Sequence, residues 1–212
     1  DSFVSRGLGD VYKRQHNALV KLGSNDFTNK KNTLGGIYIV RDPRNVLDSV
    51  SRHYQIDHAN ALKLMQDEKS FTYDFTKKND YSDYQFISSW QKNYQSWKYN
   101  KLIPVKFIRY EDLTKETFVV FKEIVEFIDK ITNNRKGFSR EKAKNAVQST
   151  SFQNLKKIEI EKGFSESIIA RKDNKKIPFF HSGPSNHWQK NFEEKFIKEL
   201  NNICLLYTSP SP

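Results

Sequence analysis

One short stretch constrains this chain more than any other. Gly35-Gly36 is followed by Ile37-Tyr38-Ile39-Val40 and then at once by Arg41-Asp42-Pro43. A β-branched and aromatic run after a turn signal reads as a buried strand. Proline is tolerated in the first turn of a helix, where its missing N–H would have no intrahelical partner, and Asp42 suits the N-cap before it. Val46, Leu47 and Val50 then recur at helical spacing. A strand that feeds a helix through two residues is a building block of layered α/β proteins. The pattern repeats downstream. Pro104 to Tyr110 reads as a second strand with Glu111-Asp112 at its exit, and Phe118, Phe121, Ile124, Val125 and Ile128 mark an amphipathic helix. Ala59 to Met65, Arg140 to Val147, Phe152 to Ile160 and Phe192 to Ile203 read as further helices. Phe86, Trp90, Tyr94 and Trp97 fall on one helical face, and Gly163 to Ile177 reads as a long polar loop. The predicted class is α/β, a parallel β-sheet flanked by helices.

The two ends fit no fold. Ser5 to Gln15 read SRGLGDVYKRQ and Cys204 to Pro212 read CLLYTSPSP. Both resemble translations of one sequencing-library adapter, one from each strand. The expected organisation is therefore a non-native leader over 1–15, a native stretch over 16–203 and a non-native tail over 204–212. The native stretch reads as part of a longer gene. It loses the lone cysteine, Cys204, together with three basic and two acidic residues of the leader, which takes the net charge from +11 to +10.

That charge invites a nucleic-acid reading. Lysine supplies 27 of the 36 basic residues, asparagine numbers 18, and the basic residues alternate with acidic ones, as in Lys122-Glu123. The pattern fits a solvated surface better than a polyanion-binding face, and favours a small anionic ligand. No apolar run approaches the ~18 residues of a membrane span, and no Cys/His cluster has metal-ligand spacing. A cytoplasmic protein without a metal is expected.

The chemistry concentrates in residues 37–49. A strand delivers Arg41 to its C-terminal end, where ligands bind in open α/β sheets. The helix beginning at Pro43 points free N–H groups and its positive dipole end to the same place. Ser49 lies two turns further on. A guanidinium fork and a hydroxyl suit a phosphate. The same residues fit an arginine paired with a carboxylate at a strand end equally well.

The run R-D-P-R-N-V-x-x-S after a strand resembles the 3′-phosphate motif of the sulfotransferase family, which uses 3′-phosphoadenosine 5′-phosphosulfate (PAPS). Four more segments follow the family's order. RYEDL at 109–113 is similar to its strand-end segment, implying that Tyr110 lies near the nucleotide. STSFQNLKK at 149–157 resembles its T-S-F segment, implying that Thr150 and Phe152 cradle adenine. FFHSGPSNHW at 179–188 resembles the glycine loop that closes over the 3′-phosphate, implicating Gly183. His16-Asn17-Ala18-Leu19 resembles the family's K-T-H segment, implying that His16 is the catalytic base. The implied fold is a P-loop-NTPase-like three-layer sandwich, incomplete at its N-terminus.

Two departures stand out. The family loop often carries Arg and Lys before its glycine, and here His181 and Ser182 stand there. Contact with the phosphate would then fall to Gly183 N–H, His181 or Lys190. The family's Lys/Ser/Gly/Thr-rich phosphosulfate loop has no counterpart in the sequence. The implied activity is sulfuryl transfer from PAPS, with adenosine 3′,5′-bisphosphate (PAP) as product. The acceptor is a hydroxyl or amine of a small molecule or glycan, attacked in line. The chain as written is expected to be inactive alone if that loop is required. A P-loop kinase-like phosphotransferase and a basic nucleic-acid-binding module are the competing readings. A G-x-x-x-x-G-K-[ST] loop upstream would favour the first, and steeply salt-dependent binding the second. Oligomeric state is left open by the sequence.

Overall fold

The computed structural model describes residues 16–73, 84–134, 137–164, 167–181, 183, 188, 192, 194 and 196–201. Its centre is a parallel pair of strands, β3 (Gly36–Val40) and β6 (Val105–Arg109), in continuous register from Gly36 opposite Val105 to Val40 opposite Arg109. Three short antiparallel pairs surround it: β1 (Lys21–Leu22) with β2 (Asn25–Asp26), β4 (Phe71–Thr72) with β5 (Gln85–Phe86), and β7 (Ile168–Ile169) with β8 (Lys176–Ile177).

The helices in chain order are α1 (Pro43–Tyr54), α2 (His58–Gln66), α3 (Trp90–Lys98), α4 (Tyr110–Lys115), α5 (Thr117–Thr132), α6 (Arg140–Ser149) and α7 (Phe152–Lys162). Pro43 opens α1 and the Asp42 carboxylate caps it, accepting from the Arg44 amide at 2.9 Å. Asp57, Ser89, Ser139 and Ser151 cap α2, α3, α6 and α7 in the same way.

Alternation along β3 explains the layering. Gly36 faces the Trp97 indole of α3, and Tyr38 packs among Tyr94, Trp97 and Phe107. Gly35 lies on the opposite face, against Phe127 and Ile131 of α5. A side chain at Gly35 would meet both Ile131 and the Pro104 carbonyl at 3.0 Å, so a hydrogen is needed there. Helices α3 and α5 thus sandwich the parallel pair. The main apolar core lies between α1 and α2, where Leu47, Ala61, Leu62 and Met65 pack with Leu200.

Several sequence expectations change. Ile37 and Ile39 are 42% and 51% exposed, so β3 is buried on one face only. Among the described residues β6 is its only partner, and the α5 side is closed chiefly near Gly35. Phe86 belongs to β5 and not to the helix of Trp90, because Ser89 starts a new helix between them. Tyr110 opens α4 instead of ending β6. The loop 163–177 contains the β7–β8 pair. Of the expected last helix, Phe192 is not helical, residues 194 and 196–201 are, and 193, 195, 202 and 203 lie outside the described residues.

Candidate functional site

The β3–β6 register sets Arg41 beside Tyr110, one residue past the paired Val40 and Arg109. The Arg41 guanidinium lies 4.3 Å above the Tyr110 ring, and its Nη2 donates to the Gly183 carbonyl at 3.0 Å. Its Nε is buried and has no hydrogen-bond partner among the described residues. An orphaned buried donor on a cation costs about 1–3 kcal/mol, and polar groups left so commonly belong to functional sites. Arg44, not Arg41, takes the carboxylate at this strand end, forming a bidentate pair with Asp42. The backbone N–H of Asp42 is in turn held by Glu111 at 3.0 Å.

Gly183 joins the elements. Its φ is +49°, and a Cβ there would lie 2.4–2.7 Å from ring atoms of Phe152. Only glycine lets the loop lie on that ring. Trp188, further along the loop, donates its amide to the Asn45 side chain at 3.2 Å and packs under the Arg44 guanidinium at 4.2 Å. The structure thus brings together Arg41, Tyr110, Phe152 and Gly183. Ser49 is exposed on α1, its hydroxyl donating to the Asn45 carbonyl at 3.3 Å. Thr150 ends α6, and its hydroxyl is engaged by the Ala146 carbonyl at 2.7 Å. Ser49 and Thr150 thus both donate their hydroxyls to a carbonyl one turn back. Ser182, His187 and Lys190 lie outside the described residues.

Sequence reasoning missed Glu159. Its carboxylate is buried on α7 and accepts from the Phe179 and Phe180 amides at 2.7 and 2.9 Å and from the Ser167 hydroxyl. It pins the loop two residues before His181. Desolvation raises its pKa, but the hydrogen bonds from Ser167, Phe179 and Phe180 outweigh that and hold it below 4.5. A depressed folded-state pKa stabilises fully above 4.5 and loses that contribution as pH falls through the lowered value. Glu159→Gln is expected to lower stability at pH 7 by about 1–3 kcal/mol, since it leaves a loop amide without its acceptor. Thermal unfolding across pH checks this, because the gap from the unaltered chain should narrow on acidification. The signal in the sequence was a lone glutamate at i+7 from Phe152, too common to single out.

His16 is strapped into place from several directions. Its amide donates to Gln85 Oε1 at 3.0 Å and its carbonyl accepts from Asn93 Nδ2 at 3.0 Å. The buried Asn17 accepts from the Phe86 amide through its side chain and from the Trp97 indole through its carbonyl. Ala18 then pairs with the Phe86 carbonyl at 2.8 Å. Desolvation by the surrounding protein lowers the His16 pKa, and the charge of His53 lowers it further. His53 lies on α1, four residues and one helical turn after Ser49. From α1 it acts on His16 through its charge. His58, by contrast, is structural, lying 3.7 Å from Asp48 and edge-on to Phe192.

A parallel strand pair sandwiched by helices, with an arginine, an aromatic ring and a glycine gathered at the strand ends, defines an α/β protein whose candidate site lies at the carboxyl end of its sheet. A model of the sulfotransferase domain family matches residues 12–207, and the chain belongs to that family. Among solved structures it is similar to mouse sulfotransferase SULT7A1 complexed with PAP, with a TM-score of 0.52 and 20% sequence identity. The match covers 82% of this chain and 59% of that one, so the chain spans less than two thirds of that neighbour's length. The likeness establishes the P-loop-like α/β fold. The comparison with curated proteins returned no match. Among the described residues no helix is long and apolar enough to cross a membrane, and no group of three or more acidic, His or Cys residues could hold a metal ion.

Proposed function

We propose that the chain carries the 3′-phosphoadenosine site and the base of a PAPS-dependent sulfotransferase. The observation that carries this reading is the buried Nε of Arg41, which has no partner among the described residues, on a guanidinium that stacks on Tyr110 and donates to the Gly183 carbonyl. A phosphate oxygen there would satisfy the orphan and receive a charge-assisted hydrogen bond. PAPS, when bound, supplies a sulfuryl group on a 5′-phosphate leaving group. Arg41 with Ser49 would hold the 3′-phosphate, Tyr110 would keep the guanidinium in plane, and Phe152 would offer its remaining face to adenine. His16 would take the proton of an attacking hydroxyl or amine of a small-molecule or glycan acceptor. Its lowered pKa suits that task, since the ring is neutral near pH 7. The 5′-phosphosulfate is assigned to none of these residues. Binding of PAP in competition with 5′-AMP tests the reading, because only the first carries the 3′-phosphate.

A further inference from the structure

Residues 16–19 run between α3 and β5, and their backbone polar groups are met from both sides. From β5, Gln85 accepts from the His16 amide, the Phe86 amide donates to the Asn17 side chain, and the Phe86 carbonyl accepts from the Ala18 amide. From α3 come three side chains at positions i, i+3 and i+4, one face of the helix. Asn93 donates to the His16 carbonyl at 3.0 Å, Ser96 Oγ accepts from the Leu19 amide at 2.9 Å, and the Trp97 indole donates to the Asn17 carbonyl at 2.9 Å. Both hydrogen bonds that the described residues make to His16 use its backbone, so the ring is aimed through its main chain.

Asn93 has further partners. Its Nδ2 also donates to the Ile87 carbonyl at 2.8 Å, and its Oδ1 accepts from the Tyr38 hydroxyl at 3.0 Å. Carbonyl oxygens only accept, so the amide has to turn its NH2 toward His16 and Ile87, which leaves Oδ1 facing a donor. Tyr38 is that donor. Its ring packs among Tyr94, Trp97 and Phe107, and burial, with Tyr94 beside it, pushes its pKa up, so the hydroxyl keeps its proton. The amide orientation that holds His16 is therefore set from β3. Tyr38 stands three residues before Arg41 in the same run. One side chain thus ties the strand that delivers Arg41 to the backbone of His16.

Resting on the reading of His16 as the base, we propose that Asn93 is the positioning residue of His16, and that Tyr38 fixes the Asn93 amide in the orientation this needs. The base and the arginine end of the sheet are then held in one register, so that an acceptor activated at His16 meets a donor anchored at Arg41. A misplacement of about 1 Å at a reacting group can cost about 10²-fold in rate, which is what such a tie guards against.

The probe is the His16 ring itself, titrated by NMR in the full chain with ring-labelled histidine. His16→Ala assigns its signal by the peak it removes. In the unaltered chain the ring should titrate below 6.5, with His53 of α1 the charge that acts on it. Asn93→Ala should move that titration up toward 6.5, as the freed segment leaves its desolvated place. Tyr38→Phe keeps the ring packing and should move it the same way by less. The double variant should match Asn93→Ala, because Tyr38 acts through Asn93. His58, set beside Asp48 and Phe192, should titrate unchanged throughout, since a loss of overall stability would not single out one ring. In turnover, Asn93→Ala should lower kcat about 10²-fold while PAP affinity stays within about twofold. An unmoved His16 titration in Asn93→Ala would overturn the proposal, and additive shifts in the double variant would overturn the part given to Tyr38. A moved titration with a kcat indifferent to His16→Ala would instead overturn the reading of His16 as the base. If Asn93→Ala fails to fold, Tyr38→Phe decides by the same shift.

Discussion

Arg41→Ala is expected to weaken PAP binding about 10- to 100-fold, the ~1.5–3 kcal/mol typical of hydrogen bonds to a charged group. The argument runs through what Arg41 does without a ligand. Its buried Nε is unpaired among the described residues, its Nη2 holds the Gly183 carbonyl, and its plane rests on Tyr110. Alanine removes an unsatisfied group along with two modest contacts. The unliganded protein should therefore lose far less stability than the ~2–5 kcal/mol expected for a buried Leu47→Ala. A large loss of affinity with a small loss of stability marks a residue kept for its ligand. Arg41→Lys should recover little of the affinity, because an ammonium neither stacks on Tyr110 nor forks. Titration calorimetry and thermal unfolding on the same variants check both halves. A stability loss as large as that of Leu47→Ala, with PAP affinity unchanged, would make Arg41 structural.

The second large effect concerns His16. His16→Ala should lower kcat for sulfuryl transfer about 10²- to 10⁴-fold, the range for loss of a general base. The nucleotide affinity should hold, since the residues that would bind PAP lie on other elements. The pH profile is the sharper check. Desolvation and the neighbouring His53 lower the His16 pKa, so the neutral base persists below 6.5 and the acidic limb of kcat/KM should sit below that value. Replacing His53 by Gln removes one opposing charge, raises the His16 pKa and should move the limb upward. An unmoved limb would separate the two histidines.

The strand, the helix and the arginine between them were legible because they rest on local rules. Gly35-Gly36, Pro43 and Asp42 act within a few residues, and the structure keeps each in its expected role. The helix starts at Arg140 and Phe152 were legible too, and Ser139 and Ser151 cap them. What failed was non-local. Nothing in the spacing of Phe86, Trp90 and Tyr94 says that Ser89 caps a new helix after β5. Nothing in Ile37 and Ile39 says which face of β3 is covered, because that depends on α5, some 80 residues on. The site divides the same way. Arg41, Gly183 and Phe152 could be named from their motifs, and the structure gathers them. Glu159 could not, because its partner Phe179 lies 20 residues away in the chain. Thr150 satisfied a motif but spends its hydroxyl on its own helix.

The proposed site would select for a 3′-phosphate at the junction of β3, α1 and Gly183. Parallel calorimetric titrations of the chain with PAP and with 5′-AMP measure it directly. The expected result is 1:1 binding of PAP at least about tenfold tighter than 5′-AMP, the contribution of a charge-assisted contact to the added phosphate. Equal affinities, or no binding of PAP, would contradict the account.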